Sequence, residues 1–258
     1  MLEELGVDIP DEIFEAIGDC MMDLASTSHR VYFGNSDDFV VIRESNEQLS
    51  QGTTGLSCWQ ASCHLADLLS MLDLSGKSVI ELGAGCGLTG IATGSLQTAK
   101  QVMLTDFDAN VLVQLRHNVE LNSSSEMMKS PVSVGSIDFL NFSPEDMPFA
   151  PDLILGADIV YDGSILHGLS KTIYSLLSMK EGSVAIIAST LRNPETLAAF
   201  DNALEKNGLM VAESARIDND RIVFDEECSI ALPQLFPFSA SVECPTIAYL
   251  IVRKSSTE

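Results

Sequence analysis

Basic residues are scarce in this chain. Its 258 residues include 14 lysines and arginines against 37 acids, which gives a formal net charge of −23. The few basic residues form no cluster along the sequence, and a surface of this sign repels a phosphate backbone. We therefore predict that nucleic acid is not a partner. The same charge favours a basic target, such as a lysine-bearing segment of another protein.

Cysteine pairs, metal-ligand spacings and long apolar runs are also absent from the sequence. The six cysteines include no Cys-x-x-Cys pair, and the four histidines do not stand at metal-ligand spacing, so we expect reduced thiols and no metal site. No apolar run approaches the length of a membrane span, and the first residues are acidic where a signal peptide would be basic. These absences predict a cytoplasmic protein without membrane contact.

The most informative segment is a glycine-rich stretch that follows an apolar run. Residues 79–90 are Val-Ile-Glu-Leu-Gly-Ala-Gly-Cys-Gly-Leu-Thr-Gly. Glycines after a buried strand let a turn adopt conformations that a side chain forbids, and they let a ligand approach the backbone. A dinucleotide fingerprint counted from Gly83 needs a glycine where the chain has Leu88. The spacing of Glu81, Gly83, Gly85 and Gly87 instead favours the pattern of S-adenosylmethionine-dependent methyltransferases.

Asp106 strengthens this interpretation because it ends the next apolar run. A carboxylate at that place can accept both hydroxyls of a ribose. Glu81 can reach the ammonium group of the cofactor, directly or through water. The alternative is a glycine-rich turn without a ligand, and the spacing between the glycines and Asp106 favours the cofactor site.

Apolar strands and amphipathic helices alternate along most of the chain. We predict helices at 60–72, from 88, and at 110–122, 165–177 and 194–207, with strands at 78–82, 101–105, 132–137, 153–157, 184–189, 210–215 and 248–252. This order predicts an α/β fold with a Rossmann-like, seven-stranded methyltransferase sheet. The sheet is expected to be mostly parallel, with an antiparallel last strand and with helices on both faces. Residues 1–51 are predicted to form an extension with a helix at 11–25 and a strand pair at 31–44 that turns at 34–37, and residues 52–258 the catalytic domain.

Further candidate residues follow the third and fourth strands, where ligands of such sheets bind. Asp138 can accept the adenine amino group, and Phe139 can cover the ring or belong to the core. The Asn-Pro-Pro-Tyr motif of methyltransferases that act on bases or glutamine is absent, and the chain has Asp158-x-x-Tyr161 instead. Asp158 can hold a lysine amine in line with the sulfonium. The alternative is a helix N-cap at Asp158 with a packed Tyr161.

Together these motifs resemble the seven-β-strand protein-lysine methyltransferases called methyltransferase family 16. The resemblance rests on Asp-x-x-Tyr after the fourth strand, on the glycine-rich loop and on a Trp-x-Ala stretch one helix upstream. Residues 52–61 (Gly-Thr-Thr-Gly-Leu-Ser-Cys-Trp-Gln-Ala) and 192–196 (Arg-Asn-Pro-Glu-Thr) resemble the branch that methylates a lysine of eukaryotic translation elongation factor 2.

The resemblance implies roles for individual residues and a protein substrate. Asp158 and Tyr161 would face the target lysine, and the residues that would contact S-adenosylmethionine are Trp59, Gly83, Ala84, Gly85, Asp106, Phe139 and Ala157. Trp59, the only tryptophan, could equally pack in the core. The family often has Trp at the position of Phe139, and the branch usually has a longer region before residue 52. We expect a monomer whose preferred target is elongation factor 2; the alternatives are another protein such as a chaperone, or a non-catalytic interaction module.

Overall fold

A mixed β-sheet runs through the centre of the protein in the computed structural model, which describes residues 27–33, 39–123, 128–218, 220–224, 228–238 and 244–254. Five α-helices lie in these residues: α1 (Gln60–Ser70), α2 (Leu88–Leu96), α3 (Ala109–Leu121), α4 (Leu166–Ser178) and α5 (Pro194–Lys206). The strands are β1 (Thr27–Phe33), β2 (Phe39–Ser45), β3 (Ser78–Leu82), β4 (Gln101–Asp106), β5 (Val132–Ser136), β6 (Leu153–Ala157), β7 (Val184–Thr190), β8 (Leu209–Asp218), β9 (Arg221–Val223), β10 (Ser229–Ala231) and β11 (Thr246–Arg253).

The sheet has the order β10-β9-β8-β11-β7-β6-β3-β4-β5. Strands β7, β6, β3, β4 and β5 are parallel, and β11 lies between β7 and β8, antiparallel to both. The predicted mostly parallel sheet with an antiparallel last strand is therefore confirmed. β9 and β10 extend the sheet beyond β8 and were not predicted. Each has three residues, which is too short for a periodic pattern to appear in the sequence.

Helices cover both faces of the sheet because alternate residues of each strand point to opposite sides. On one face, Val79 of β3 packs in a cluster with Leu65 of α1, Ile91 of α2 and Leu115 of α3. On the other face, the neighbouring Ile80 packs in a second cluster, whose helical members include Ile173 of α4 and Phe200 of α5. All five residues of β3 are buried, as expected for a central parallel strand.

The β1–β2 hairpin packs on the first face through polar as well as apolar contacts. Asn118 of α3 accepts a hydrogen bond from Arg43 N and donates one to Arg43 O, both at 2.9 Å. Asn122, one turn later, accepts from Val41 N at 2.9 Å and donates to Val41 O at 2.7 Å. The two amides thus satisfy the free edge of β2 as a neighbouring strand would.

The predicted helices and strands lie within a few residues of the observed ones. The predicted helix at 11–25 and the turn at 34–37 lie outside the described residues. No helix in the part of the chain that the structure describes is long and apolar enough to cross a membrane.

Candidate active site

A cavity of about 500 Å³ lies at the carboxyl ends of β3, β4 and β6. This size is typical of sites for small molecules and cofactors. The structure brings all the sequence-predicted site residues to its wall: Trp59, Glu81, Gly83, Ala84, Gly85, Gly87, Asp106, Asp138, Phe139, Ala157, Asp158 and Tyr161. They meet because the carboxyl ends of parallel strands share one edge of a sheet.

The turn between β3 and α2 is held open by its glycines. Gly83 and Gly85 have φ angles of 60° and 55°, in the left-handed region that favours glycine. A Cβ on Gly83 would lie 2.6 Å from Cγ2 of Ile159, so a side chain cannot be added without displacing that residue. The turn is tied to β4, since Ala84 N donates to Thr105 O at 2.8 Å.

Glu81 is buried beneath this turn, with 1% of its surface exposed. Its Oε2 accepts a hydrogen bond from Gly90 N at 2.9 Å, near the start of α2. Burial raises the pKa of the Glu81 carboxyl to about 8, against hydrogen bonds from Thr89 and Gly90 that lower it. Glu81 therefore anchors α2 as well as bordering the cavity, and its predicted contact with the cofactor ammonium stays a prediction.

Asp106 connects the end of β4 to the glycine turn. Its Oδ2 accepts from Gly85 N at 3.1 Å, and its Oδ1 accepts from Phe107 N and Asp108 N at 2.8 and 3.1 Å. Burial raises the pKa of this carboxyl, while these backbone hydrogen bonds lower it. The carboxylate is thus fixed in orientation at the cavity wall, and its predicted contact with ribose hydroxyls stays a prediction.

Large apolar side chains at the rim of the cavity were not predicted as site residues. Phe107 is 67% exposed, Leu140 66% and Leu49 64%. Exposed apolar groups next to a pocket indicate a surface that a ligand covers. The positions of Phe107 and Leu140 could have been predicted from the sequence, because both residues closely follow the ends of strands, where ligands bind.

A tight turn brings the segment before α1 over the cavity. Ser50 and Thr53 exchange two backbone hydrogen bonds of 3.0 Å, and the residues between them, Gln51 and Gly52, have φ angles of 52° and 81°. Further along the segment, the indole nitrogen of Trp59 donates to Thr54 O at 3.0 Å. The turn thus sets the path that carries Thr53, Thr54 and Trp59 to the wall.

Asp158 follows β6 with a φ angle of 53°, a left-handed conformation that aspartate tolerates better than most residues. Its Oδ1 accepts from Thr190 N at 2.8 Å, and its Oδ2 accepts from Thr190 Oγ1 at 2.9 Å and from Ala61 N at 3.2 Å. Ala61 lies in the first turn of α1. Asp158 is therefore not the N-cap residue of the alternative interpretation, because Trp59 holds that position in α1 and Ile165 in α4. Its carboxylate instead accepts a hydrogen bond from the first turn of α1.

Tyr161 and Asp138 occupy more open positions in the wall. Tyr161 is 62% exposed, and partial desolvation raises the pKa of its hydroxyl. Its high exposure excludes the packed tyrosine of the alternative interpretation. Asp138 accepts from Leu140 N at 2.9 Å and from the Asn141 side chain at 2.6 Å, which orders the loop after β5.

The charge of the wall matches a cationic cofactor. The acidic residues of the wall are Glu81, Asp106, Asp108, Asp138 and Asp158, and no Lys or Arg belongs to the described residues that line it. Because burial raises the pKa of Glu81 to about 8, the negative charge of the wall near neutral pH comes from the aspartates. S-adenosylmethionine carries a sulfonium and an ammonium group, which such a wall attracts, whereas the pyrophosphate of a dinucleotide would be repelled. Among the described residues, no group of three or more His, Cys, Asp or Glu could hold a metal ion.

Known proteins resemble this chain in sequence and in fold. The family model described as lysine methyltransferase matches residues 38–207. Protein-lysine N-methyltransferase EEF2KMT of Homo sapiens is 31% identical over 87% of this chain and 72% of its own length. Protein-lysine N-methyltransferase EFM3 of Chaetomium thermophilum is 31% identical over 67% of this chain and 53% of its own. A solved structure of a putative transferase from Pyrococcus horikoshii shares the fold, with a TM-score of 0.53 and 14% identity over 89% of this chain and 73% of that one.

The family match over most of the chain and the 31% identity to EEF2KMT favour an enzyme over a non-catalytic module of similar fold. The chain belongs to the lysine methyltransferase family, and it is an S-adenosylmethionine-dependent protein-lysine N-methyltransferase.

Proposed function

We propose that this enzyme methylates a lysine of eukaryotic translation elongation factor 2. The observation that carries the proposal is a contact between the two segments that resemble the elongation-factor branch, residues 52–61 and 192–196. The guanidinium carbon of Arg192 lies 4.9 Å from the centre of the Trp59 ring. Segments far apart in sequence thus meet at Trp59, which lines the cavity. The relatives named EEF2KMT and EFM3 support the same target.

In this proposal the glycine turn and its neighbours hold the cofactor. Asp106 accepts the ribose hydroxyls, and Asp138 accepts the adenine amino group. Phe139, Phe107 and Leu140 cover the base with apolar surface. The remaining contacts come from Trp59, Glu81, Gly83, Ala84, Gly85, Gly87 and Ala157. When bound, S-adenosylmethionine supplies an electrophilic methyl group on a sulfonium.

The lysine side of the site is formed by Asp158 and Tyr161. Asp158 orients the amine, because Thr190 and Ala61 fix its carboxylate in one position. Tyr161 shapes the acceptor channel with its exposed ring and limits the access of water. A less hydrated surrounding lowers the pKa of the lysine amine, which must be neutral to act as a nucleophile.

The target is tested with recombinant, unmethylated elongation factor 2 and methyl-labelled S-adenosylmethionine. We expect label on one lysine of elongation factor 2, mapped by mass spectrometry of its peptides, and none on a cytosolic chaperone assayed in parallel. Asp106→Ala is the control with reduced activity at low cofactor concentration, and the exposed Glu181→Gln is the matched fully active control. Label on the chaperone but not on elongation factor 2 would transfer the function to the alternative substrate.

We also propose that the enzyme is a cytoplasmic monomer and does not bind nucleic acid. Its net charge of −23 supports the last point, because it disfavours a phosphate backbone. Light scattering of the purified protein tests the monomer, and fluorescence microscopy of the tagged protein tests the compartment. A shift of labelled RNA or DNA at physiological salt would contradict the absence of nucleic acid.

A further inference from the structure

Arg192 places a cation of the chain itself beside the lysine-facing wall of the cavity. Its guanidinium lies over the ring of Trp59, at 4.9 Å from the ring centre. Each of its two terminal nitrogens lies 3.4 Å from one oxygen of Asp158. Trp59 and Asp158 both border the cavity. An aromatic face and a carboxylate that approach the same cation form a site for an alkylammonium group as well.

The carboxylate of Asp158 does not depend on Arg192 for its position. Its three hydrogen bonds to Thr190 and Ala61 measure 2.8, 2.9 and 3.2 Å. The contacts to Arg192 are longer than the roughly 2.7–2.9 Å of strong charge-assisted hydrogen bonds. The Arg192 side chain is also 45% exposed, against 6% for Asp158. Arg192 is therefore the partner of Asp158 that is most easily displaced.

We propose that Arg192 occupies the position that the ammonium group of the target lysine takes, and that the incoming lysine displaces it. This inference rests on the proposed role of Asp158 in orienting the lysine. The exchange keeps one positive charge beside Asp158 before and after the lysine enters. It also keeps this nearly buried carboxylate paired between turnovers, when an unpaired charge would be costly.

The variant Arg192→Lys tests the proposal without any protein substrate. It places a primary amine on the side chain that already lies between Trp59 and Asp158, so the enzyme should methylate itself at residue 192. The lysine ammonium beside Asp158 first loses a proton to solvent, and the lone pair of the neutral amine then forms the new N–C bond as the methyl–sulfur bond breaks. The electron pair stays on sulfur, S-adenosylhomocysteine leaves, and the methylated ammonium product loses a proton to solvent.

The assay is intact-mass and peptide mass spectrometry of Arg192→Lys after incubation with S-adenosylmethionine. Glu195→Lys is the matched control, because it adds an exposed lysine three residues away in the first turn of α5. We expect methyl groups at position 192 but not at 195, at a rate per molecule that does not depend on enzyme concentration. An unmethylated residue 192 in a variant that binds cofactor with wild-type affinity would overturn the proposal, and so would equal methylation at 195.

Arg192→Ala provides an independent test if Arg192→Lys does not fold or does not bind cofactor. This variant removes the internal competitor, so KM for elongation factor 2 should fall several-fold at unchanged cofactor affinity. A higher KM would instead make Arg192 a contact for the substrate and overturn the proposal. The proposed target and the proposed role of Arg192 can be refuted separately. Self-methylation of Arg192→Lys at position 192, with no label on elongation factor 2, would refute only the target. Label on elongation factor 2, with no self-methylation at position 192, would refute only the role of Arg192.

Discussion

Glu81 should make the stability of the cofactor-free enzyme fall as the pH rises. Folding raises the pKa of this carboxyl from 4.5 to about 8, mainly because burial disfavours the charged form. The folded state then holds a proton that the unfolded state has released. The stabilising contribution of this group is fully present below pH 4.5 and is lost progressively as the pH rises to about 8.

The size of the effect follows from the width of this pH range. Each pH unit inside it costs about 1.4 kcal/mol of unfolding free energy, so ionisable Glu81 removes about 3 kcal/mol between pH 4.5 and 7. Glu81→Gln removes the ionisation, and its side-chain oxygen can still accept from Gly90 N. The unfolding free energy of the variant should therefore rise relative to wild type by about 2–3 kcal/mol between pH 5 and 7.

Urea unfolding of cofactor-free protein at a series of pH values from 5 to 8 measures this difference. Asp67 and Asp106 also have carboxyls whose pKa is raised by burial, but both proteins contain them, so their contributions cancel. The exposed Glu181→Gln is the control and should follow wild type at every pH. Parallel pH profiles for wild type and Glu81→Gln would refute the argument, because they would mean that Glu81 has the same charge in the folded and unfolded states.

Three further substitutions test the site and its support. Asp106→Ala should weaken cofactor binding by about 1–3 kcal/mol in calorimetry, because ribose hydroxyls lose their acceptor; unchanged affinity would remove Asp106 from the site. Asn118→Ala should lower the unfolding free energy by about 3 kcal/mol in urea titrations, because the side-chain hydrogen bonds to Arg43 N, Arg43 O and Cys86 O are lost. A loss of only a few tenths of a kcal/mol would show that apolar contacts, rather than these hydrogen bonds, hold the hairpin. Tyr161→Ala should slow single-turnover methyl transfer much more than Tyr161→Phe at equal cofactor affinity, and equal rates would exclude a wall role for the ring.

Local patterns in the sequence were sufficient for the seven longer strands of the sheet, for its five helices and for the place of the site, but not for β9 and β10. The parallel strands are short, continuous apolar runs, and helical periodicity marks the segments between them, so the order of elements could be predicted. Once the sheet is parallel, strand ends converge on one edge, and Glu81, Asp106, Asp138 and Asp158 have to meet there. The glycine spacing then favoured S-adenosylmethionine over a dinucleotide.

The partners of those side chains required the tertiary structure. Nothing near Asp158 in sequence indicates that it accepts hydrogen bonds from α1 and Thr190, because both partners come from other parts of the chain. The hydrogen bonds of Asn118 and Asn122 to β2 could not be predicted either. In the sequence their spacing is that of any two residues one turn apart on a helix, and only the fold shows β2 beside them.

The residues at the strand ends, and the cofactor that their chemistry suits, could thus be predicted from the sequence, because both depend on local patterning and on a simple rule of sheet topology. The exposure of Phe107 and Leu140 at the rim, the burial of Glu81 with its raised pKa and the position of Arg192 over Trp59 could be seen only in the folded protein. Exposure, desolvation and ion pairing depend on what surrounds a group in space, and residues distant in sequence provide those surroundings.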